Sequence, residues 1–467
     1  MQVTSNQFKR KAAAALANPQ LQKALSNLRA RMVTGRAQSV LELDNFESIR
    51  EAAKRTRDFA LAHLDYLLEE FERNATACGA SVHWAETGED VNRLVLDIAR
   101  RNDVRKIIKS KSMLGEETGL NHFLEAAGIE VRETDLGEYI IQEAGETPSH
   151  IIAPAIHHTA EEVADLFHDK HKLSRKTDIG EMTREARMVL RPHFLSADMG
   201  ISGANFLVAE SGTSMIVTNE GNGRMTTTLP RVHVAIAGIE KVLPTLEDVS
   251  FILRLLTRSA TGQSISNYVT FTTGPKRPGD PDGPEQFHII IVDAGRTRVL
   301  GSDLREALRC IRCGACMNHC PVYQNVGGHP YGWVYPGPIG AVLTPAYAGL
   351  ENAVHLPNAA TLCNQCGVVC PVKIPLPDLM RKLREKQVER GLRSWTERVG
   401  LKVWAWAATR PGVYAWITRL AARVGRWAGG RERLIHNLPG GAGWSRDRDM
   451  PAPEGKTFRE LYAKRRR

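Results

Sequence analysis

The first 75 positions contain stretches rich in apolar Ala and Leu and in Lys and Glu, a composition typical of helices. Residues 12–16, 21–28 and 61–71 are the clearest such stretches. All four residue types lose little on entering a helix. We therefore predict an N-terminal helical segment over residues 1–60 whose last helix leads into the next domain.

From about residue 80 the pattern changes to helical stretches interleaved with short apolar runs. Helices are predicted over residues 91–100 and 120–127, and residues 273–285 form a turn-rich loop. Alternation of this kind favours a parallel sheet covered by helices, so we predict one α/β domain over residues 61–300. The predicted strands are 104–108, 129–131, 151–155, 206–209, 215–217, 232–239 and 287–292.

The composition of the chain indicates a third region at its C-terminal end. The chain has 467 residues, 42% of them apolar, which is enough for two or three domains with buried cores. Its net charge is +10, yet residues 391–467 alone hold seventeen Lys and Arg against six Asp and Glu. We predict that these residues form a basic C-terminal tail. It carries six of the eight tryptophans, namely Trp395, Trp404, Trp406, Trp416, Trp427 and Trp444.

Seven of the eight cysteines lie in two runs that each end in proline. The first is Cys-x2-Cys-x2-Cys-x3-Cys-Pro from Cys310, and the second is Cys-x2-Cys-x3-Cys-Pro from Cys363. The first has the bacterial ferredoxin spacing, in which three thiolates bind one iron–sulfur cluster and the fourth binds the other. If the chain folds back with local pseudo-symmetry, the last cysteine completes the first cluster. The predicted ligand sets are Cys310, Cys313, Cys316 and Cys370, and Cys320, Cys363 and Cys366.

The second set has three cysteines because Ala360 stands where a complete motif needs a fourth. The fourth iron position is then absent, as in a [3Fe–4S] cluster, held by another ligand, or open to solvent or substrate. Zinc also binds Cys-x2-Cys pairs, but zinc ribbons use two well-separated pairs. Helices over residues 304–308 and 376–390 flank the runs, so we predict an α-helical ferredoxin module over residues 301–390.

The cysteine runs and the Gly/Pro-rich insert at 327–338 resemble those of the lactate utilisation protein B family. Segments 111–121, 133–138, 210–214 and 218–222 resemble that family's lactate-utilisation domain, so the likeness covers nearly the whole chain. The resemblance implies the iron–sulfur subunit of a three-component L-lactate dehydrogenase complex with two [4Fe–4S] clusters. It also implies that the α/β domain is similar in fold to ribose-5-phosphate isomerase and the CoA transferases.

Iron–sulfur clusters pass single electrons, whereas oxidation of lactate to pyruvate removes two. We therefore expect the chain to carry electrons from a lactate-oxidising centre, either on a partner subunit or at a cofactor that the sequence does not reveal, to a quinone or a soluble carrier. One alternative is a catalytic subunit that binds a 2-hydroxy acid at the three-cysteine cluster. Another is the iron–sulfur subunit of a glycolate-type oxidase. No G-x-G-x-x-G or P-loop motif opens a helix, so the sequence gives no reason for an NAD site.

Glu210 in Glu210-Ser211-Gly212 resembles the glutamate nucleophile of the CoA transferases. We favour a glutamate held by nearby backbone at a strand end, close to a pocket for a small carboxylate. Gly221-Asn222-Gly223 is expected to be a turn.

Four histidines, His157, His158, His319 and His329, are candidate ligands or proton carriers. His329 has the best claim because it lies in the insert between the cysteine runs. Such a loop can lie against a cluster and donate hydrogen bonds that tune its potential.

The tail contains no run of about twenty apolar residues without charge, so we do not expect it to span a membrane. Its Trp and Arg side chains favour docking on a partner subunit, or peripheral contact with a membrane or quinone. Nucleic acid is not expected as a partner, because no recognition module accompanies the charge. Without a signal-peptide pattern at the start, we expect a cytoplasmic protein, at most peripheral at the inner face of the membrane.

Overall fold

The computed structural model describes residues 2–266, 268–437 and 448–465, apart from the side chains of residues 27–30. Trp444 lies outside this range. The chain divides into two compact units, Met1–Gln387 and Val388–Arg467. The domain boundaries drawn from the sequence stay predictions.

The first unit begins with helices, which confirms the helical pattern of the first 75 residues. The fourth of them buries Phe46, Ile49, Ala53 and Leu61 on one face, as the 3.6-residue repeat of an amphipathic helix requires. The helices are α1 (Phe8–Ala17), α2 (Pro19–Leu28), α3 (Thr34–Leu41), α4 (Phe46–Ala62) and α5 (Leu64–Ala77).

A six-stranded sheet follows, with order β1-β10-β7-β4-β2-β3 and every neighbouring pair parallel. The predicted parallel sheet is therefore confirmed. A second, mixed sheet has the order β8-β5-β6-β9. The strands are β1 (Ser81–Ala85), β2 (Lys106–Lys109), β3 (Glu130–Glu133), β4 (Met199–Gly203), β5 (Phe206–Val208), β6 (Thr213–Thr218), β7 (Val232–Gly238), β8 (Val242–Leu243), β9 (Tyr268–Thr272) and β10 (Gln286–Val292).

Helices cover the parallel sheet, and several begin with the side-chain caps that their sequences provide. Thr87, Thr159 and Thr245 each form a reciprocal capping box with the acidic residue three positions later. The helices are α6 (Gly88–Arg101), α7 (Met113–Thr118), α8 (Leu120–Ala126), α9 (Leu136–Ala144), α10 (Ala160–His171), α11 (Ile179–Ser196), α12 (Asn222–Thr228), α13 (Leu246–Thr261) and α14 (Arg296–Leu300).

Two local predictions for this region are wrong. Residues 151–155 form turns and not a strand, because the His150 imidazole Nδ1 accepts hydrogen bonds from the Ile152 and Ala153 N–H groups, both at 3.0 Å. The Gly221-Asn222-Gly223 segment is not an isolated turn. Gly221, at φ 74°, is the N-cap of α12, a conformation that costs glycine little.

Helix α12 lies so close to the sheet that β4 needs a glycine beneath it. A Cβ atom on Gly200 would lie 1.9 Å from the Thr226 carbonyl oxygen. This close packing fixes where α12 begins, and with it the polar loop at residues 218–222.

The region from residue 301 contains a 3-10 turn, Arg305–Arg309, in place of the predicted helix over residues 304–308. The predicted helix over residues 376–390 is confirmed. The helices are α15 (Ala315–Asn318), α16 (Tyr323–Val326), α17 (Gly337–Ala348), α18 (Gln365–Val369) and α19 (Leu376–Glu389).

His233 in β7 makes the stability of the sheet depend on pH. Its Nε2 lies 2.8 Å from Ser202 Oγ, its ring stacks on Phe287, and burial lowers its pKa to about 3. Below pH ~6.5 His233 binds a proton in the unfolded chain but not in the folded chain. The free energy of unfolding therefore falls as pH falls. We expect this residue to contribute about 1.4 kcal/mol to the loss of unfolding free energy between pH 7.5 and 5.5.

The measurement is urea denaturation of anaerobic protein at both pH values. His233→Gln should lose less stability over this interval than the original chain, by about 1.4 kcal/mol. His122→Gln is the matched control, because the His122 side chain is 95% exposed. An equal loss in all three proteins would contradict the prediction.

The second unit contains α20 (Trp395–Ala408), α21 (Pro411–Ala428) and α22 (Phe458–Arg465), with a short ladder between β11 (Leu434–Ile435) and β12 (Met450–Pro451). Most of its large aromatic side chains are exposed, Trp427 by 84% and Trp395 by 72%. Within the residues that the structure describes, no helix is both long and apolar enough to cross a bilayer.

Candidate metal centre

The two cysteine runs form loops with the same backbone conformation. The residues on either side of Cys313 and of its counterpart Cys363 have positive φ in both loops, Arg312 (60°) and Gly314 (75°) in the first, and Leu362 (55°) and Asn364 (65°) in the second. Helix α15 follows the first loop and α18 the second. The expected local pseudo-symmetry is therefore present. Non-glycine residues with positive φ are uncommon and concentrate at functional sites.

Three of the four thiols of the first run form a largely buried group with the last cysteine of the second run. Burial, and then the Cys310, Cys313 and Cys370 thiolates, raise the pKa of Cys316. Burial raises the pKa of Cys370 to about 11, with the Cys310 thiolate adding to the rise. These four cysteines are the set that the sequence assigned to one cluster, and their role as ligands stays a prediction.

The other three cysteines form a neighbouring group. Burial, and then the Cys320 thiolate, raise the pKa of Cys366 to about 12, and Cys363 contributes in the same direction. The two groups adjoin, because the charge of the Cys366 thiolate also contributes to the raised pKa of Cys316. Burial alone keeps these thiols protonated, so a bound metal would be needed to hold them as thiolates.

The surroundings of the first group fit a metal–sulfur cluster. Its four thiols line a cavity whose remaining wall is mainly apolar, with Ile311, Ile339 and Ile374 among its residues. Backbone N–H groups point at the sulfurs, from Arg312 to Cys310 Sγ at 3.4 Å and from Ile374 to Cys370 Sγ at 3.3 Å. Such donors stabilise sulfur-borne negative charge and tune a cluster's potential.

The second group is open on the side that lacks a cysteine. Cys363 is exposed, as is the whole loop of residues 361–364. The Ala360 carbonyl accepts a hydrogen bond from Arg384 Nη2 at 2.9 Å, which fixes the backbone at the position equivalent to Cys310. This side of the centre therefore faces solvent.

A cavity of about 530 Å3 lies at the carboxyl ends of strands β2, β3, β4 and β7. The loops after these strands line it, and so do Arg312 and Tyr335 from the cysteine region. Arg312 and Ile151 line both this cavity and the cavity of the first cysteine group. The strand ends of the α/β domain and the first cysteine group thus share a wall.

Buried charges surround this shared wall. Glu240 binds Arg296 at 2.9 Å and lies 3.5 Å from Arg312. Burial alone would raise the pKa of Glu240, but Arg296, Lys241 and Arg312 overcome that effect and lower it to about 2. Lys241 Nζ lies 3.4 Å from the Cys310 carbonyl oxygen, and burial and the Arg312 charge lower its pKa to about 7. Cations therefore outnumber anions beside the first cysteine group, which suits a cluster of negative charge.

Three family models match the chain in succession. They are the LUD domain at residues 68–292, the 4Fe–4S dicluster domain at 306–374 and the C-terminal domain of lactate utilisation protein B at 380–467. The lactate utilization protein B of Shouchella clausii is 42% identical over 96% of this chain and 94% of that protein. The protein of the same name from Bacillus subtilis is 39% identical over 100% and 98%.

The chain belongs to the lactate utilisation protein B family. The predicted membership and the iron–sulfur character of the cysteine region are thereby confirmed. An Escherichia coli relative described as an uncharacterized electron transport protein, YkgF, is 42% identical over 99% of this chain and 97% of its own length. The crystal structure of a DUF162 family protein from Deinococcus radiodurans covers 49% of this chain and 98% of its own, at 13% identity and a TM-score of 0.28.

In this family member the candidate histidines join the insert to the α/β domain. The His329 ring lies 4.5 Å from that of His157, and His329 Nε2 donates to the Thr147 carbonyl at 2.7 Å. The predicted hydrogen bond from His329 to a cluster is therefore not supported. Glu146 Oε2 lies 2.7 Å from His157 Nε2 and 3.2 Å from His158 Nε2, while His319 Nδ1 bonds the Ala315 carbonyl at 2.9 Å.

Glu210 follows β5 in a 3-10 turn, and its Oε1 accepts a hydrogen bond from the Leu246 N–H at 2.6 Å. This agrees with a glutamate held by backbone. It is not among the residues that line the 530 Å3 cavity, so that cavity is not the small-carboxylate pocket expected near Glu210.

Sequence reasoning missed how the N-terminal helices hold the cysteine region. Arg36 Nη2 donates to the Val369 carbonyl at 3.0 Å, and Arg50 Nη2 to the Val368 carbonyl at 2.9 Å and the Cys370 carbonyl at 2.6 Å. Arg57 is fully buried and donates to the carbonyls of Glu240, Val242 and Leu308. Arg36 lies in α3 and Arg50 and Arg57 lie in α4, and the helical pattern of these segments does not indicate partners so distant in the chain.

Proposed function

We propose that this protein is the iron–sulfur electron-transfer subunit of a complex that oxidises L-lactate to pyruvate. The observation that carries the proposal is the pair of adjoining, largely buried cysteine groups in a chain of this family. Electrons pass between redox groups that lie close together, and the two cysteine groups meet at Cys316 and Cys366.

Cys310, Cys313, Cys316 and Cys370 would hold one [4Fe–4S] cluster, and Cys320, Cys363 and Cys366 the other. When bound, these clusters supply one-electron acceptor and donor chemistry. The second has three cysteine ligands, so a [3Fe–4S] form or a non-cysteine fourth ligand fits the same residues. We also infer that the α/β domain is of the ribose-5-phosphate isomerase and CoA-transferase type, followed by an α-helical ferredoxin module.

The protein's own groups would shield the buried side of the clusters from water and set their charge balance. Tyr331 of the insert is fully buried, and the thiolates of Cys320, Cys316 and Cys366 add to the effect of burial in raising its pKa. The insert is held in turn by the N-terminal segment, since the Ser5 hydroxyl donates to the Tyr331 carbonyl at 2.6 Å. Arg312 places positive charge beside the first cluster.

The other subunits of the complex are the expected partners, and the tail over residues 391–467 is the proposed docking surface. Exposed tryptophans such as Trp404, Trp416 and Trp427 support this, because exposed aromatic residues are favoured anchors at interfaces. Peripheral contact with a membrane or quinone at the inner face of the membrane is the alternative use of the same residues.

Anaerobic spectroscopy tests the proposal. Purified protein should contain about eight iron atoms per chain and a visible absorption that dithionite bleaches, with an EPR signal in the reduced state. Zinc in place of iron and sulfide, or no bleaching, would refute an electron-transfer role.

A second candidate function is favoured by the exposure of residues 361–364, because an open iron at the second cluster would be accessible to a 2-hydroxy acid. In that case lactate should change the EPR signal of the second cluster, and Ala360→Cys should abolish lactate oxidation by the complex while the cluster is kept. If Ala360→Cys leaves oxidation unchanged, the electron-transfer role stands alone.

A further inference from the structure

The 530 Å3 cavity is built from the loops that follow four neighbouring strands. Lys111 follows β2, Asp135 follows β3, Asn205 follows β4, and Gly238 ends β7. The carboxyl ends of parallel strands are where open α/β sheets bind ligands. The cavity falls within the ordinary size range of small-molecule sites, about 300–1,000 Å3.

Three polar atoms on its wall are buried and have no hydrogen-bond partner among the described residues. They are Lys111 Nζ, Thr218 Oγ1 and Asn222 Oδ1. The anion nearest to Lys111 is Glu138, whose Oε1 lies 3.7 Å away and is itself without a hydrogen bond. Buried polar groups are rarely left without a hydrogen bond, so the presence of three in one cavity points to a ligand that bonds them.

The donor and acceptor types of these atoms indicate which groups the ligand must have. An ammonium group and a hydroxyl can both donate to a carboxylate, while an amide oxygen needs a donor such as an alcohol O–H. Ile140, Pro154 and Ile216 supply apolar wall beside them, suited to a short aliphatic group. A carboxylate, a neighbouring hydroxyl and a small alkyl group are the parts of a 2-hydroxycarboxylate.

We propose that this end of the cavity binds a small 2-hydroxycarboxylate, with its carboxylate on Lys111 and Thr218 and its hydroxyl donating to Asn222 Oδ1. The proposal rests on the proposed function, since the acid would be the substrate of the complex. The acid fills only part of the cavity. Arg312 and Ile151 line both this cavity and the cavity of the first cysteine group, so a bound acid would lie in the cavity that adjoins the first cluster and not at the open position of the second.

The test measures binding of L-lactate, pyruvate and propionate to the full-length, cluster-loaded protein by isothermal titration calorimetry under anaerobic conditions. L-Lactate should bind at least tenfold more tightly than propionate, which lacks the hydroxyl, and more tightly than pyruvate, which has no proton for Asn222 Oδ1. Equal binding of lactate and propionate, or no lactate binding, would overturn the proposal.

Lys111→Met should weaken lactate binding at least tenfold. The matched control is Lys106→Met, which removes a half-exposed lysine at the other end of β2, where it lies 4.0 Å from Glu130. Equal affinity in the two variants would overturn the proposal. If Lys111→Met does not fold, Thr218→Val and the lactate-to-propionate ratio of the original chain decide the question.

Iron content and EPR spectra recorded on the same samples separate this inference from the proposed function. Intact, reducible clusters together with no lactate binding overturn the cavity assignment alone. Absence of iron and sulfide overturns the proposed function, whatever the binding result.

Discussion

Cys370→Ser is expected to lower the iron content from about eight to about four atoms per chain and to remove the EPR signal of the first cluster, leaving that of the second. The reason is that the Cys370 thiolate lies with those of Cys310, Cys313 and Cys316, although it belongs to the second cysteine run by sequence. Cys363→Ser should instead remove the second signal.

The measurement is iron and sulfide analysis with EPR of dithionite-reduced protein, all prepared without oxygen. Cys78→Ser is the control, because this half-buried thiol lies outside both groups and should leave iron content unchanged. If Cys370→Ser and Cys363→Ser remove the same signal, the crossed ligand assignment is wrong.

Glu240→Gln is expected to lower the free energy of unfolding by about 3–5 kcal/mol, the usual effect of removing one member of a buried ion pair. The substitution removes the carboxylate that Arg296 and Arg312 share, and all three groups are buried. Arg296 keeps Glu117, which it binds through two hydrogen bonds of 3.1 and 2.9 Å, so the excess positive charge should fall mainly on Arg312.

Urea denaturation of anaerobic protein at pH 7.5 measures this effect. The control is Glu285→Gln, which breaks the pair with Lys276 at 3.6 Å between two exposed side chains. Exposed pairs are worth about 0–1 kcal/mol, so this variant should stay within that range. Similar losses in the two variants would mean that the Glu240 charge adds nothing beyond its packing.

The elements that could be predicted from the sequence are those with a continuous apolar run or a helical repeat. Strands β7 and β10 lie inside the sheet, so their apolar runs at 232–239 and 287–292 are nearly continuous. Strand β1 is at an edge and its residues are mostly exposed or half-buried, so it lacked such a run and was missed. Residues 151–155 show the reverse error: Ile151 is apolar because it forms the wall of two cavities and not because it belongs to a strand.

The candidate site also has one part that could be predicted from the sequence and one that could not. Cysteine spacing is a local property, so the metal centre could be recognised from Cys310 to Cys370 alone. The cavity beside it depends on Lys111, Asn222 and Arg312 meeting from distant parts of the chain. No period or motif encodes such a meeting, and only the packing of α12 on Gly200 and of the cysteine loop on the sheet edge brings them together.

The hydrogen bonds from Arg36 and Arg50 to residues 368–370 join parts of the chain more than 300 residues apart. On a ribosome adding about 5–20 residues per second, the N-terminal helices emerge roughly 15 to 65 seconds before the segment they hold. The first cysteine group can therefore close only late in the synthesis of each chain, once residue 370 has left the ribosome.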